Sequence, residues 1–197
     1  MDRHRLSRGL HHSNPTNREK VAAVGVSFEY DNYQLRDLEL DDAQELFTRF
    51  TSRFRVMKYL PIKVHTDIAE TKHLISEWLR FQSIGVYVNV IQSKIEKRLV
   101  GVVGAARFEH TIALSMQIAP DRHSMGAGCI VGPAIVHSLL SHPEIKRLWA
   151  YSDVDNVAVI NMLHNMGCKC EGLMRKYEVH PNISPEPRDC LLWSVIR

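Results

Sequence analysis

What the chain has little of narrows its class. Four cysteines in 197 residues (Cys129, Cys168, Cys170 and Cys190) are too few to staple a secreted scaffold, so reduced thiols in a cytoplasmic protein are expected. No apolar run approaches the ~18 residues of a membrane span. The first residues are polar and basic, unlike a secretory signal peptide. Excess charge is also scarce: the net +3 is carried entirely by Arg3, Arg5, Arg8, Arg18 and Lys20 against Asp2 and Glu19. The remainder is neutral, which argues against a nucleic-acid-binding body, since that would need a basic face on the fold itself. Residues 1–27 are expected to form a basic, flexible tail and residues 28–197 one domain. His4, His11 and His12 lie in that tail without a rigid scaffold, so no metal site is expected.

With 45% apolar and 24% charged residues the chain has the balance of a globular domain, and its length suits one core. A strand is expected at Leu35–Leu38, then a helix capped by Asp41 with Ala43, Leu46, Phe47, Phe50 and Phe54 inward. A second helix spans Asp67 to Gln82. Three strands follow with short connections (Val86–Ile91, Leu99–Phe108 and Ile112–Ile118), an antiparallel meander. An apolar helix stops at His142-Pro143, and Leu148–Ser152 reads as a strand. Asn156–Met166 is a helix ended by Gly167, and Cys190–Ile196 closes the chain as a strand. The order implies an α/β (α+β) fold, a mixed sheet with helices packed on it.

One stretch carries chemistry. Between Ile118 and Gly128 a strand runs into a loop, and the loop into a helix whose first turn holds Gly126 and Gly128. Free backbone N–H groups at such a helix start cradle an anion, and Arg122 can add a charge-assisted contact. No Gly-Lys-Ser/Thr follows, and the third glycine of a dinucleotide fingerprint is missing.

Taken in order, the pieces resemble the GNAT superfamily of acetyl-CoA-dependent N-acetyltransferases, in its RimJ/RimL-type branch, over roughly Tyr33 to Val195. Leu35-Arg36-Asp37-Leu38 with Asp41-Asp42-Ala43 is similar to the branch's opening strand and helix, and Val56-Met57-Lys58-Tyr59-Leu60-Pro61 to its "VMRYLP" segment. Pro120–Gly128 sits where the family's pyrophosphate loop belongs. Met166-Gly167-Cys168, Glu171-Gly172 and Pro187-Arg188-Asp189-Cys190 resemble its "LGF", "EG" and closing "RD". There are departures: His123 replaces Gln/Arg, Gly132 stands where the branch often has Glu, Pro133 interrupts the helix, and Leu163 replaces a tyrosine acid of some relatives.

The resemblance implies a mostly antiparallel GNAT-like sheet and direct acetyl transfer from acetyl-CoA to an amine, with no metal. It places the pantetheine arm on the backbone of Met116, Gln117 and Ile118. The pyrophosphate falls to Arg122, His123, Ser124, Met125, Gly126, Ala127 and Gly128, with Asn156 at the next helix start. Glu109 and His110, before the strand, are the first base candidates; Glu171 is the alternative, and Tyr151 or Tyr177 can supply a proton. An α-amine of pKa ~8 is about one-tenth neutral at pH 7, against a few parts in ten thousand for a lysine amine. Sparse acid–base equipment therefore favours a protein N-terminal amine over a lysine side chain, with a small-molecule amine as the other acceptor. The rival reading, based on Gly132, Leu163 and Pro133, is a catalytically degenerate acyl-CoA-binding or interaction module. No membrane partner is expected, and the sequence leaves a homodimer open.

Overall fold

The computed structural model describes residues 27–123 and 126–197. The expectations for the basic tail, save Ser27, therefore fall outside the described residues, as do Ser124 and Met125 as phosphate ligands. Tyr33–Asp37 (β2) pairs with a preceding strand, Phe28–Tyr30 (β1), through a hairpin at Asp31-Asn32. Strand β1 is short and largely exposed, so it leaves no alternating pattern in the sequence.

The helical front is broken where one helix is expected. A 3-10 turn (Leu40–Asp42) leads into α1 (Ala43–Leu46), a π-type turn (Phe47–Thr51) and a separate α2 (Phe54–Met57). Asp41 lies inside the first turn. The cap is Glu39, in a capping box with Asp42, whose side chain accepts from the Glu39 N–H at 2.9 Å and from Arg36 at 2.7 and 2.9 Å. Arg53 is extended, so Phe54 leaves the helix face and is exposed. Helix α3 (Ile68–Phe81) starts as expected on Asp67, which accepts from the Ala69 N–H at 2.7 Å, while Glu70 reaches back to the Asp67 N–H.

The meander is β3 (Val86–Ser93), β4 (Leu99–Phe108) and β5 (Thr111–Ile118). A short helix α4 (Pro120–His123) and a long α5 (Ala127–Ser141) cross over to β6 (Arg147–Asp153). Helix α6 (Val157–Asn165) follows, then β7 (Lys169–Val179) and β8 (Pro187–Ile196). The eight strands lie in the order β1-β2-β3-β4-β5-β6-β8-β7, antiparallel throughout except for β5 beside β6. This is the mixed, mostly antiparallel sheet expected.

Each face of the sheet has its own core. On one, Leu114, Met116 and Ile118 of β5 meet Val131 and Ile135 of α5 and Leu163 and Met166 of α6. On the other, Val88, Val90 and Val102 meet Leu46, Phe50 and Ile75. Each such buried side chain contributes about 1.5–3 kcal/mol, so both helical layers are fixed to the sheet. What remains uncovered lies between them, at β5 and β6.

Candidate active site

Parallel pairing of β5 with β6 stops early. Thr111, Ile112 and Ala113 face Arg147, Leu148 and Trp149, and no pairing continues beyond. On its other side β5 stays paired with β4 as far as Ile118. Because successive residues of a strand direct their backbone groups to opposite sides, part of the Leu114–Gln117 backbone faces an opening where a sheet partner would be. Buried backbone groups need partners; an extended amide-bearing arm laid in the opening could supply them.

Two cavities flank that opening, one on each sheet face. The first, about 460 Å³, is bounded by Met116, Gln117 and Ile118 of β5, Gly126 and Gly128 at the start of α5, one side of α6 from Val157 to Asn165 and the Arg55–Leu60 segment. The second, about 400 Å³, lies between β3–β6 and the end of α3. Gln117 lines both. Both volumes fall in the usual range for small-molecule sites.

Helix α5 begins at Gly126, whose left-handed backbone (φ 68°) suits glycine. Among the described residues no side chain caps it, so its first N–H groups can receive an anion. Gly128 is closely packed: a Cβ there would sit 3.1 Å from Met162 Sδ and 3.3 Å from Ile118 Cγ1, so those side chains would have to give by a few tenths of an ångström. A Cβ at Gly132 would fall 2.7 Å from Met166 Cγ, so glycine there lets α5 cross close to α6. The helix runs through Pro133 without a break. Gly132 and Leu163, read in the sequence as lost acid–base groups, are thus accounted for by packing, the latter buried in the core.

Of the phosphate and pantetheine candidates, the structure brings Met116, Gln117, Ile118, Gly126, Gly128 and Asn156 to one cavity. Ala127 is fully buried beneath the first turn. Arg122 and His123 close the short α4. Asn156 also has a structural task, accepting from the Val159 N–H at 3.4 Å as the cap of α6.

The base candidates are placed differently. Glu109 and His110 form the tight turn before β5, at the closed end of the β5–β6 pair, roughly 26 Å along the strand from Ile118. Their side chains are 90% and 63% exposed, and neither lines a cavity. The expected proximity to the cleft is not found, because the turn lies beyond the paired residues Thr111–Ala113, outside both cavities, with its side chains in solvent. Glu171 lies at the same closed end. Arg147 binds both its oxygens and Ser194 donates to it at 2.6 Å, which together hold its carboxyl down at about 2. Such a carboxylate is a poor proton acceptor.

Tyr151, in contrast, lines the second cavity. Its hydroxyl donates to Glu178 Oε2 at 3.2 Å, and its ring meets Tyr177 edge-on at 5.0 Å. Burial, reinforced by the Glu178 charge, raises the phenol above its ordinary value, so it keeps its proton at neutral pH.

Two features escape sequence reading. The carboxylate of Asp153, fully buried at the open end of β6, takes Arg188 Nε at 2.6 Å, His180 Nε2 at 3.3 Å and the Asp155 N–H at 2.9 Å. Burial opposes its ionisation, but the Arg188 hydrogen bond, the backbone N–H and the neighbouring charges outweigh it and lower its pKa. This cluster fixes the turn that presents Asn156. The second is Asn182, whose amide donates to the carbonyls of Met57 and Ile62 at 2.7 and 2.8 Å and accepts from the Val64 N–H. It holds the segment that puts Arg55, Lys58 and Tyr59 on the rim of the first cavity. Arg188 and the Lys58-Tyr59 pair lie in motifs that the resemblance quotes. For Asn182 and His180 no sequence signal exists.

A family model described as an acetyltransferase (GNAT) domain matches residues 33–169. The chain belongs to the GNAT acetyltransferase family. As a GNAT enzyme it is an N-acetyltransferase that depends on acetyl-CoA. Comparison with curated proteins gives no match. Among solved structures, a GNAT-family acetyltransferase from Bacillus anthracis superposes with a TM-score of 0.75 at 20% identity, over 86% of this chain and 98% of that one. The ribosomal-protein-S5-alanine acetyltransferase of Vibrio fischeri gives 0.72 at 21% identity, over 87% and 96%. The spermidine N-acetyltransferase of Vibrio cholerae, solved with CoA and spermine, gives 0.70 at 15%, over 84% and 95%. At these identities the likeness concerns the fold. Among the described residues of this GNAT chain, no helix is long and apolar enough to cross a membrane.

Proposed function

We propose that acetyl-CoA enters through the first cavity, that the acceptor enters through the second, and that the two meet at the open β5–β6 edge. The observation that carries this reading is the end of strand pairing at Ala113 and Trp149, with Gln117 bordering both cavities. The free N–H groups at the start of α5 receive the pyrophosphate, and Arg55 and Lys58 on the rim add positive charge. The backbone from Met116 to Ile118 binds the pantetheine arm and donates to the carbonyl oxygen as negative charge develops there.

The reaction is a direct transfer. The amine lone pair forms a bond to the thioester carbon, the C–S bond breaks, and the proton lost by nitrogen ends on the CoA sulfur. Among the described residues lining the two cavities, Asp155 is the one acid, and its carboxylate is bound by Arg188 at 2.6 Å. Tyr151, on the second cavity, keeps its proton and serves there as a hydrogen-bonding group rather than as an acid. With so little base in reach, the amine must arrive largely neutral, which selects amines of low pKa. A protein or peptide N-terminal α-amine is therefore the favoured acceptor, as for the Vibrio fischeri relative's ribosomal-protein alanine.

The test is mass spectrometry of peptides incubated with acetyl-CoA and the enzyme, each offering a free α-amine and an internal lysine. Acetyl on the α-amine is expected. Acetyl confined to lysine, or to spermidine offered in competition, would overturn the assignment.

A further inference from the structure

The second cavity is graded along its length, and the gradient specifies the acceptor. Its floor is built of the smallest side chains available: Gly104 and Ala106 of β4 lie directly opposite Ser115 and Ala113 of β5. A Cβ at Gly104 would fall 2.5 Å from Ser115 Oγ, so any side chain there would have to displace the serine hydroxyl. Around this hollow stand large apolar walls, with Trp78 and Phe81 from α3 on one side and Trp149 from β6 on the other. The hydroxyl and amide side chains gather toward one end, where Ser115, Gln117 and Tyr151 approach the open strand edge. Among the described residues that line this cavity there is no Asp, Glu, Lys or Arg.

We infer that the acceptor is a primary amine borne on a large apolar or aromatic body, with the amine at the Gln117–Tyr151 end and the carbon body over the small-residue floor. This rests on the acceptor side assigned above. The absence of carboxylates makes the cavity a poor host for a polycation such as a polyamine, whose second and third ammonium groups would be desolvated without partners. It makes it an equally poor host for an acidic or glycine-initiated N-terminus, which would leave the aromatic walls uncovered. Two sources share the apolar body that fits: a peptide whose first residue is large and apolar, whose α-amine is also of low pKa, and a free arylalkylamine, whose more basic amine makes it the weaker candidate.

The test has a turnover arm and a binding arm. In the first, kcat/KM is compared for peptides identical except for Phe, Leu, Gly or Asp in first place, for phenethylamine and for spermidine. The Phe and Leu peptides, or phenethylamine, should exceed Gly, Asp and spermidine by about tenfold or more, the usual yield of filling an apolar pocket. Whether peptide or free amine leads identifies the source. In the second arm, tryptophan fluorescence reports phenethylamine or Phe-peptide binding to the enzyme saturated with CoA, where no transfer occurs. Ala113→Phe should abolish both the preference and the fluorescence change while acetyl-CoA still binds; Ala106→Val, a smaller insertion, should reduce them.

If amine binding is seen but no acetyl is transferred, the acceptor inference stands and the transfer reading fails. If acetyl is transferred without preference for apolar acceptors, or spermidine leads, the inference is overturned and the transfer reading survives. It is also overturned if hexanoyl-CoA outperforms acetyl-CoA and Ala113→Phe reverses that order, because the cavity then houses an acyl tail.

Discussion

Gly132→Ala measures how tightly α5 is seated on α6 and β5. The added carbon would lie 2.7 Å from Met166 Cγ, 3.0 Å from Met166 Sδ and 3.3 Å from Met116 Cε. The Met166 side chain must therefore move by several tenths of an ångström, and Met116, which lines the cofactor cavity, must give as well. Overpacking of this kind costs about 1–3 kcal/mol. Replacing a mid-helix glycine by alanine returns about 1 kcal/mol. The difference is a net loss of about 1 kcal/mol, or ~2–4 °C in Tm for a domain of this size. Thermal unfolding followed by circular dichroism, with and without acetyl-CoA, reads both the stability loss and any effect carried through Met116. Gly132→Glu goes further, placing a carboxylate between two methionines where nothing can pair with it. That costs several kcal/mol, and little folded protein should accumulate. A Gly132→Ala protein that melts higher than wild type would refute the packing argument. So would a Gly132→Glu protein that folds normally and gains activity, since the position would then be a vacated catalytic site.

Arg188→Met should destabilise by about 3–5 kcal/mol, because it strands the buried Asp153 carboxylate; denaturant unfolding would contradict this if the loss were below ~1 kcal/mol. Burial holds His180 below its ordinary pKa despite Asp153 and Glu178. The unfolded chain therefore binds a proton near pH 6.5 that the folded one refuses, and stability falls as pH drops through that value. A Tm series from pH 8 to 5 should show this decline, and His180→Gln should make it shallower; equal slopes would count against it. Glu171→Gln, Glu109→Ala and His110→Ala should each retain kcat, with none approaching the ~100-fold fall that loss of a general base produces. Steady-state kinetics showing such a fall would return that residue to the mechanism.

The sequence carried most of the elements that pack apolar faces, and little of what depends on long-range pairing. Helix α3 was legible because Asp67 and Glu70 form a local capping box ahead of an amphipathic run. The meander was legible because β3, β4 and β5 are joined by short turns. Strand β7 was not, since as an edge strand it is exposed almost throughout and reads Lys-Cys-Glu-Gly-Leu-Met-Arg-Lys-Tyr-Glu-Val without alternation. The fracture of the front helix arises from an extended Arg53, which helical spacing alone does not reveal. At the site, the backbone cradle of Gly126 and Gly128 followed from local sequence, because a glycine-rich strand-to-helix turn is a local feature. The base candidates did not, because closeness in sequence to β5 says nothing about which end of the strand opens. Asn182 and His180 act on segments more than a hundred residues away, so only the folded chain shows their partners.

The most direct test of the account is calorimetric titration of the protein with acetyl-CoA, repeated on Gly128→Asp and Glu171→Gln. The first substitution crowds Met162 and places a carboxylate among the free N–H groups at the start of α5; the second alters only the closed end of the sheet. One site of micromolar affinity is expected, weakened at least about tenfold by Gly128→Asp through repulsion of the pyrophosphate and lost N–H contacts, and unchanged by Glu171→Gln. No binding to the wild-type protein, or equal binding to all three, would contradict it.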